Sequence, residues 1–200
     1  MPRSTRLLMA ALSLLLLVAY VQPLWHIELE APQYPEGLGL QIWANNIAGS
    51  QEHDLQKINQ LNHYIGMQAI DPASFPELRW IPWILAGLIG LGLITALTGW
   101  RPLLYGWVTA FAAAAAVGLW RFYDWAYEYG HNLDPTASIQ VPGMTYQPPL
   151  IGSKELLNFT AHSWPHVGGW AIFLAMAGGA ILAIRTYRRS RRNRQSVPAT

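Results

Sequence analysis

The stretch WIPWILAGLIGLGLITALT, residues 80–98, has no charged side chain and is long enough to cross a bilayer as one helix. Three further apolar runs qualify in the same way, at residues 7–24, 102–120 and 164–184. The chain is 52% hydrophobic and only 12% charged, whereas soluble domains are about 25% charged. Many of the ten Trp residues flank these runs, as is typical of side chains at a membrane–water interface. The sequence therefore predicts an all-α membrane protein with four transmembrane helices.

The charges divide sharply between the segments that separate the apolar runs. One set of segments has nine Lys and Arg residues and no acid, a charge of +9, and the other has four basic and eleven acidic residues, a charge of −7. Because Lys and Arg mark the cytoplasmic side, we expect a bacterial inner-membrane protein with both termini in the cytoplasm. No small-residue cleavage site follows the first run, which favours an uncleaved anchor over a signal peptide.

This topology divides the chain into seven segments. The predicted spans and connecting segments are residues 1–24 (first helix), 25–79 (periplasmic loop), 80–99 (second helix), 102–123 (third helix), 124–163 (periplasmic loop), 164–186 (fourth helix) and 187–200 (basic cytoplasmic tail). Closely spaced Gly and Ala residues in the last three spans predict a compact bundle. No ionisable residue lies near the centre of a span, which argues against a pump or a transporter.

The two periplasmic loops are expected to be mostly irregular, with short helices between Pro- and Gly-rich turns. Residues 38–43 alternate in polarity and predict a short strand. Asp54 to Ile65 predicts a helix with Asp54 as its N-cap and Gly66 as its terminator. Lys154 to Ala161 predicts one more short helix before the fourth span.

Several classes of chemistry are excluded or disfavoured. The chain has no cysteine, so it has no disulfide, thiolate metal site, iron–sulfur cluster or covalently attached haem. It has no phosphate-binding loop, nucleophile elbow or zinc-protease motif, which indicates that it is not an enzyme. The basic tail is interpreted as an orientation signal that contacts lipid headgroups, rather than as a nucleic-acid-binding segment.

The first candidate metal site follows the third span. Asp124, Glu128 and His131 are spaced by four and three residues, which places all three on one helix face. Two carboxylates and an imidazole on one face suit a divalent metal ion. The alternative interpretation is a solvated acidic face with an interfacial histidine.

The second candidate site combines His63 and Met67 with Met144, and both methionines follow a glycine in turn-like sequence. Thioether and imidazole ligands together suit copper, especially Cu(I). The alternative is that the methionines fill gaps where the loops pack on the bundle.

The third candidate site comprises His162 and His166. Their spacing suits one helix face if Pro165 is the first residue of the fourth span. Neutral histidine is a common metal ligand and also a common surface residue, so both interpretations stay open.

Three strings carry a resemblance to a known family. They are LNHYIGM at residues 61–67, YPEGL at residues 34–38 and VPGMTYQPPLIG at residues 141–152. With these strings the chain resembles, over nearly its whole length, the NosB-type membrane proteins encoded beside clade II (atypical) nitrous oxide reductase. The resemblance implies an accessory role in the maturation of a periplasmic copper enzyme or in its electron supply. It assigns no catalytic residues.

The expected function is therefore that of an inner-membrane accessory protein that binds copper, the periplasmic copper enzyme or its maturation factors. One alternative is a non-catalytic subunit of a membrane redox complex, which would hold quinone or haem near the periplasmic face through His131, His162 and His166. Another is a scaffold that binds partners and no cofactor.

Overall fold

The computed structural model of the protein describes residues 1–156 and 158–195. The predicted basic tail, residues 187–200, is described as far as Gln195, and residues 196–200 lie outside the described residues. Within these residues, six α-helices and five strands follow one another, with a short 3-10 helix at Pro72–Ser74 between the third and fourth α-helices. They are α1 (Arg3–Leu15), α2 (Val18–Val21), β1 (Trp25–Ala31), β2 (Tyr34–Ile42), β3 (Ile47–Gly49), α3 (Asp54–Ile65), α4 (Glu77–Thr98), α5 (Arg101–His131), β4 (Gly152–Leu156), β5 (Phe159–Pro165) and α6 (Val167–Gln195).

Four helical segments are long and apolar enough to cross a membrane, as predicted: Arg3–Val21, Glu77–Thr98, Arg101–His131 and Val167–Arg192. The first ends earlier than expected because Pro23 lacks a backbone N–H, and strand β1 starts two residues later. Helix α5 continues past the predicted end of the third span at residue 123 to His131, which confirms the expected helical continuation through Asp124 and Glu128. Helix α6 starts three residues late because the chain before it is a strand.

These helices form a bundle in which α1 and α5 each pack between α4 and α6. Trp107 lies fully buried at its centre, where its Nε1 donates to Leu88 O at 2.8 Å. Gly92 and Gly179 permit this packing, since a Cβ at Gly179 would lie 2.3 Å from the Trp107 ring. Gly90 has open space beside it, so only part of the predicted small-residue pattern serves helix contact.

The prediction of an all-α fold with mostly irregular loops was wrong. Both loops contribute to one antiparallel sheet with strand order β3-β2-β1-β5-β4. In the central pair Trp25 lies opposite Pro165, and Trp25 Nε1 donates to Ser163 Oγ at 2.8 Å. The sheet joins segments far apart in sequence, so local patterns mark single strands but not their pairing. We call this sheet with α3 and the end of α5 the sheet domain.

The smaller predictions for the loops had mixed outcomes. The strand at 38–43 is confirmed as part of β2, and helix α3 has its predicted bounds, with Gly66 ending it at φ 81°. Asp54 is not the N-cap, because its buried carboxylate instead accepts from the backbone N–H of Gly39 at 3.1 Å and of Gln51 at 3.0 Å. The predicted helix Lys154 to Ala161 was wrong, since that segment belongs to the β4–β5 hairpin.

One face of the sheet is covered by α3 and by the part of α5 that extends beyond the bundle. Ile27 and Leu40 from the sheet, Ile58 from α3 and Tyr129 from α5 share one apolar cluster. Strand β1 leads directly out of α2, and β5 leads almost directly into α6. The sheet domain therefore sits on one end of the bundle, and no helix of the described residues covers its other face.

Candidate functional site

The uncovered face of the sheet is polar because β1 alternates strictly. Trp25, Ile27 and Leu29 point into the apolar cluster, so the residues between them point the opposite way. We call this surface the His/Glu face. It comprises His26, Glu28 and Glu30 of β1, His162 of β5, and His166 just after β5.

The pairing of β1 with β5 brings the side chains of the two strands together on the His/Glu face. Glu28 lies opposite His162, so both side chains project from the same face of the sheet. His162 Nδ1 lies 2.6 Å from Ser153 Oγ of β4, and its Nε2 lies 3.7 Å from Glu30 Oε2. His162 is thus already held on both ring nitrogens.

His26 and His166 form the other pair on this face. Their ring centroids are 6.2 Å apart at an interplanar angle of 62°. The Nδ1 atoms of both rings are buried and have no hydrogen-bond partner among the residues that the structure describes. His26 Nε2 lies 3.8 Å from Glu28 Oε2, and the backbone N–H of His166 donates to Leu24 O at 3.1 Å. Two imidazole nitrogens thus remain free for a ligand at the base of the sheet.

Burial lowers the pKa of His166, and the positive charge of a protonated His26 lowers it further. The neutral imidazole is therefore favoured at neutral pH. This is the form that binds a metal ion.

Two glycines of β2 leave room beside these side chains. A Cβ at Gly39 would lie 3.0 Å from Cε1 of His26, and one at Gly37 would lie 2.8 Å from Oε1 of Glu28. Any larger residue at either position would push against the imidazole or the carboxylate. The space beside Gly39 is shared with the Ser50 side chain, whose Oγ would be the nearest atom to a Cβ at that position.

The predicted trio on α5 is on one helix, as expected, but each member has another partner. Asp124 Oδ2 lies 3.1 Å from Nη1 of Arg121, and Glu128 Oε1 accepts from Asn132 Nδ2 at 2.8 Å. The ring of His131 stacks on Tyr127 with centroids 3.9 Å apart. Among the residues that the structure describes, no three His, Asp or Glu side chains are grouped closely enough to hold a metal ion.

The second predicted group is spread over different surroundings. His63 is exposed on α3, whereas Met67 packs against the apolar cluster between the sheet and α3. Met144 is half-buried in a turn that its backbone N–H closes by donating to Val141 O. The packing of Met67 fits the alternative interpretation of a gap-filling methionine.

The third predicted group lies in a strand and a linker rather than on a helix. Pro165 is the last residue of β5 and not the first residue of α6, so His162 and His166 do not share a helix face. Sequence reasoning missed their partners His26 and Glu28. The alternation in residues 25–30, WHIELE, is the signal that predicts them.

No known protein-family model matches the chain, and no curated protein matches it significantly. The resemblance to NosB-type proteins thus stays a prediction.

Proposed function

We propose that this protein is a membrane-anchored accessory protein that holds copper on its His/Glu face and presents it to a periplasmic copper enzyme or to that enzyme's maturation factors. The proposed enzyme is nitrous oxide reductase, in keeping with the resemblance of the sequence. The observation that carries the proposal is the His26–His166 pair with its two unpartnered ring nitrogens.

The separation of the two rings suits a shared ion. With metal–nitrogen distances of about 2.0–2.1 Å, two imidazoles on opposite sides of one ion have centroids roughly 6 Å apart. The observed 6.2 Å is close to that value. An ion between the rings would have to be bound by one nitrogen of each ring. Buried imidazole nitrogens without partners are costly, and a bound ion would satisfy them.

The two imidazoles suit copper as they suit zinc, so the choice of copper follows from the resemblance of the sequence. The side chains of Glu28 and His26 are 40% and 26% exposed, so an ion can reach them from solvent. Glu28 and Glu30 also raise the local concentration of cations, since both carry negative charge on an open surface.

The position of the pair fits delivery at the membrane surface. His26 lies directly opposite Trp164, which is 50% exposed, and His166 immediately precedes α6. Exposed tryptophan is typical of the interfacial layer. A soluble partner that approaches the sheet domain from the water would meet Glu30 and His162 first and the His26–His166 pair next to the bilayer.

Copper uptake by the purified full chain tests this proposal. We expect about one copper ion per chain after incubation and gel filtration, measured by elemental analysis. The double variant His26→Ala/His166→Ala should lose that copper, while His53→Ala, an exposed histidine before α3, and His131→Ala should retain it. Absence of copper from the wild-type chain, or its loss in His131→Ala alone, would overturn the assignment of the site.

A cellular measurement tests the partner. In a host that depends on the copper enzyme, the double variant should lower nitrous oxide reduction as strongly as deletion does, at equal membrane abundance. A stoichiometric partner that co-purifies with metal-free chain would instead support a cofactor-free scaffold. A haem absorbance band in the purified protein would support the redox-subunit alternative.

A further inference from the structure

A separate site lies on the covered face of the sheet. An apolar cavity with a volume of about 80 Å³ is enclosed by β1, β2, β5, α3, the end of α5 and the segment around Tyr146. Its walls include Ile27, Leu40 and Ile58, and Met67 closes one side. None of the lining residues carries a charge. The cavity is partly open, so a ligand longer than the cavity can extend out of it.

Tyr146, one of the residues that line the cavity, has a hydroxyl without a hydrogen-bond partner among the described residues. Tyr146 is 5% exposed, and its Oη is buried without a hydrogen bond in the part of the chain that the structure describes. A buried donor left unpaired costs about 1–3 kcal/mol. Nothing in the apolar walls compensates this cost, so the hydroxyl points to an absent acceptor.

The backbone holds Tyr146 firmly in this place. Its N–H donates to Gly130 O at 2.9 Å, and a Cβ at Gly130 would lie 2.3 Å from the backbone nitrogen of Gln147. Only a glycine permits this approach of the two backbones. The Tyr146 side chain is therefore carried on a fixed support rather than on a free loop.

A second donor lies in the same wall. Trp125 Nε1 is also buried, and the partner it has in this wall is the Tyr129 hydroxyl, whose pKa burial raises and a hydrogen bond from Trp125 lowers to a smaller extent. Tyr129 Oη itself makes a long contact of 3.4 Å to Ala69 O. Aromatic side chains with polar tips thus line the end of the cavity formed by α5.

The apolar walls and the unpaired hydroxyl of Tyr146 indicate what kind of ligand the cavity would bind. Its body must be apolar, since the walls are apolar. It must also contribute an acceptor, because the Tyr146 O–H has no acceptor among the described residues. The acceptor must be uncharged, since no cation lines the cavity and an ionised carboxylate would be buried without compensation. A neutral carbonyl oxygen meets all three conditions.

The volume of the cavity and its position near the membrane interface indicate where the ligand comes from. An engineered apolar cavity of about 150 Å³ binds benzene, so 80 Å³ admits a carbonyl and a few carbons rather than a whole amphiphile. Trp125 lies only five residues beyond Trp120, an exposed tryptophan typical of the membrane interface. We infer that this cavity binds the carbonyl end of a neutral apolar molecule taken from the bilayer, with Tyr146 Oη as the hydrogen-bond donor.

Two membrane components have this chemistry, the ring carbonyl of a quinone and the ester carbonyl of an acyl lipid. Binding is measured on the full chain in a maltoside detergent, which has no carbonyl group. A short-chain benzoquinone and a fatty-acid methyl ester are titrated separately by calorimetry. Binding of one probe alone identifies the source, and binding of both identifies the shared carbonyl as the recognised group.

The test variant is Tyr146→Phe, with Tyr64→Phe as its control because Tyr64 is an exposed tyrosine on α3. We expect Tyr146→Phe to weaken binding of the positive probe about tenfold, the value of one hydrogen bond of about 1.4 kcal/mol. The probe-free protein should be at least as stable in the Tyr146→Phe variant, since an unpaired hydroxyl is removed. The control should change neither quantity.

Two results would overturn the inference. One is that neither probe binds the wild-type chain, and the other is that Tyr146→Phe binds as tightly as the wild type. A Tyr146→Phe protein that unfolds more readily without probe would mean that the hydroxyl is already satisfied, which also overturns it. The outcome does not depend on copper, because the His26→Ala/His166→Ala variant should bind the same probe with unchanged affinity.

Discussion

The helical bundle and the sheet domain are assembled by different rules within one short chain. The bundle is packed through contacts between helices, with Gly92 and Gly179 against the side chains around Trp107. The sheet domain depends on one pairing of distant segments, in which Trp25 and Ser163 are 138 residues apart. The bundle should therefore tolerate changes in either loop, whereas the sheet domain should fail when any one of its few supports is lost.

The largest effect is expected where the second loop rests on α5. Gly130→Ala would place a Cβ 2.3 Å from a backbone atom of Gln147, which cannot rotate away. We expect the free energy of unfolding of the sheet domain to fall by about 3 kcal/mol. Limited proteolysis in detergent should then show early cleavage in residues 132–156. Gly118→Ala is the control on the same helix, because its Cβ would meet open space.

The close contact between Gly130 and Gln147 was not predictable from the sequence, whereas the helical bundle was. Four uninterrupted apolar runs predict four spans because the bilayer imposes a minimum length on each helix. A strand is fixed by its partner, and the partner of β1 lies in the other loop. Lys154 and Ala161 show the limit, since the composition around them suits a helix, whereas they lie opposite each other in the paired strands β4 and β5.

The candidate site likewise has residues that stand out in the sequence and contacts that depend on strand pairing. His162 and His166 stand out in the sequence as two histidines four residues apart. Their contacts with Glu30 and His26 arise only when β1 and β5 pair. The alternation of apolar and polar residues in β1 predicts which of its side chains share a face of the sheet. It does not predict which residues of the paired strand lie beside them.

The next largest effect tests the junction between β2 and α3. Asp54 is 3% exposed, and its carboxylate accepts from two backbone N–H groups. Asp54→Ala leaves both donors without this acceptor and should lower the free energy of unfolding by about 2 kcal/mol. Thermal denaturation followed by circular dichroism measures the change. The neighbouring exposed Glu52→Ala should leave the midpoint unaltered, and equal shifts for both variants would contradict the role of Asp54.

A smaller effect is expected inside the bundle. Gly92→Ala places a Cβ 2.0 Å from Ser13 Oγ, a side-chain atom that can move at the expense of its 2.8 Å bond to Met9 O. We expect a loss of about 1–2 kcal/mol, seen as a lower thermal midpoint with no early cleavage in the loops. Gly90→Ala has free space and serves as the control. Early loop cleavage in Gly92→Ala would mean that the bundle and the sheet domain are not independent.

The smallest effect concerns the ion pairs at the boundary of the two regions. Arg121 Nε donates to Glu77 Oε1 at 2.6 Å, joining the start of α4 to α5, and its side chain is 43% exposed. Because the pair is solvated, Arg121→Gln should lower the free energy of unfolding by less than about 1 kcal/mol. The difference from wild type should shrink further as salt is added. A difference that is large and independent of salt would show that Arg121 has a structural role beyond this pair.

The central pairing of β1 with β5 cannot form until late in the synthesis of the chain. The ribosome must add 138 residues after Trp25 before Ser163 exists, which takes roughly 7–28 s at about 5–20 residues per second. During that interval the β1–β2 hairpin is already available, with the edge that will receive β5 still unpaired. An unpaired edge is prone to pair with other chains. A nascent chain of this protein therefore passes through a period of vulnerability that ends only when its last loop has been translated.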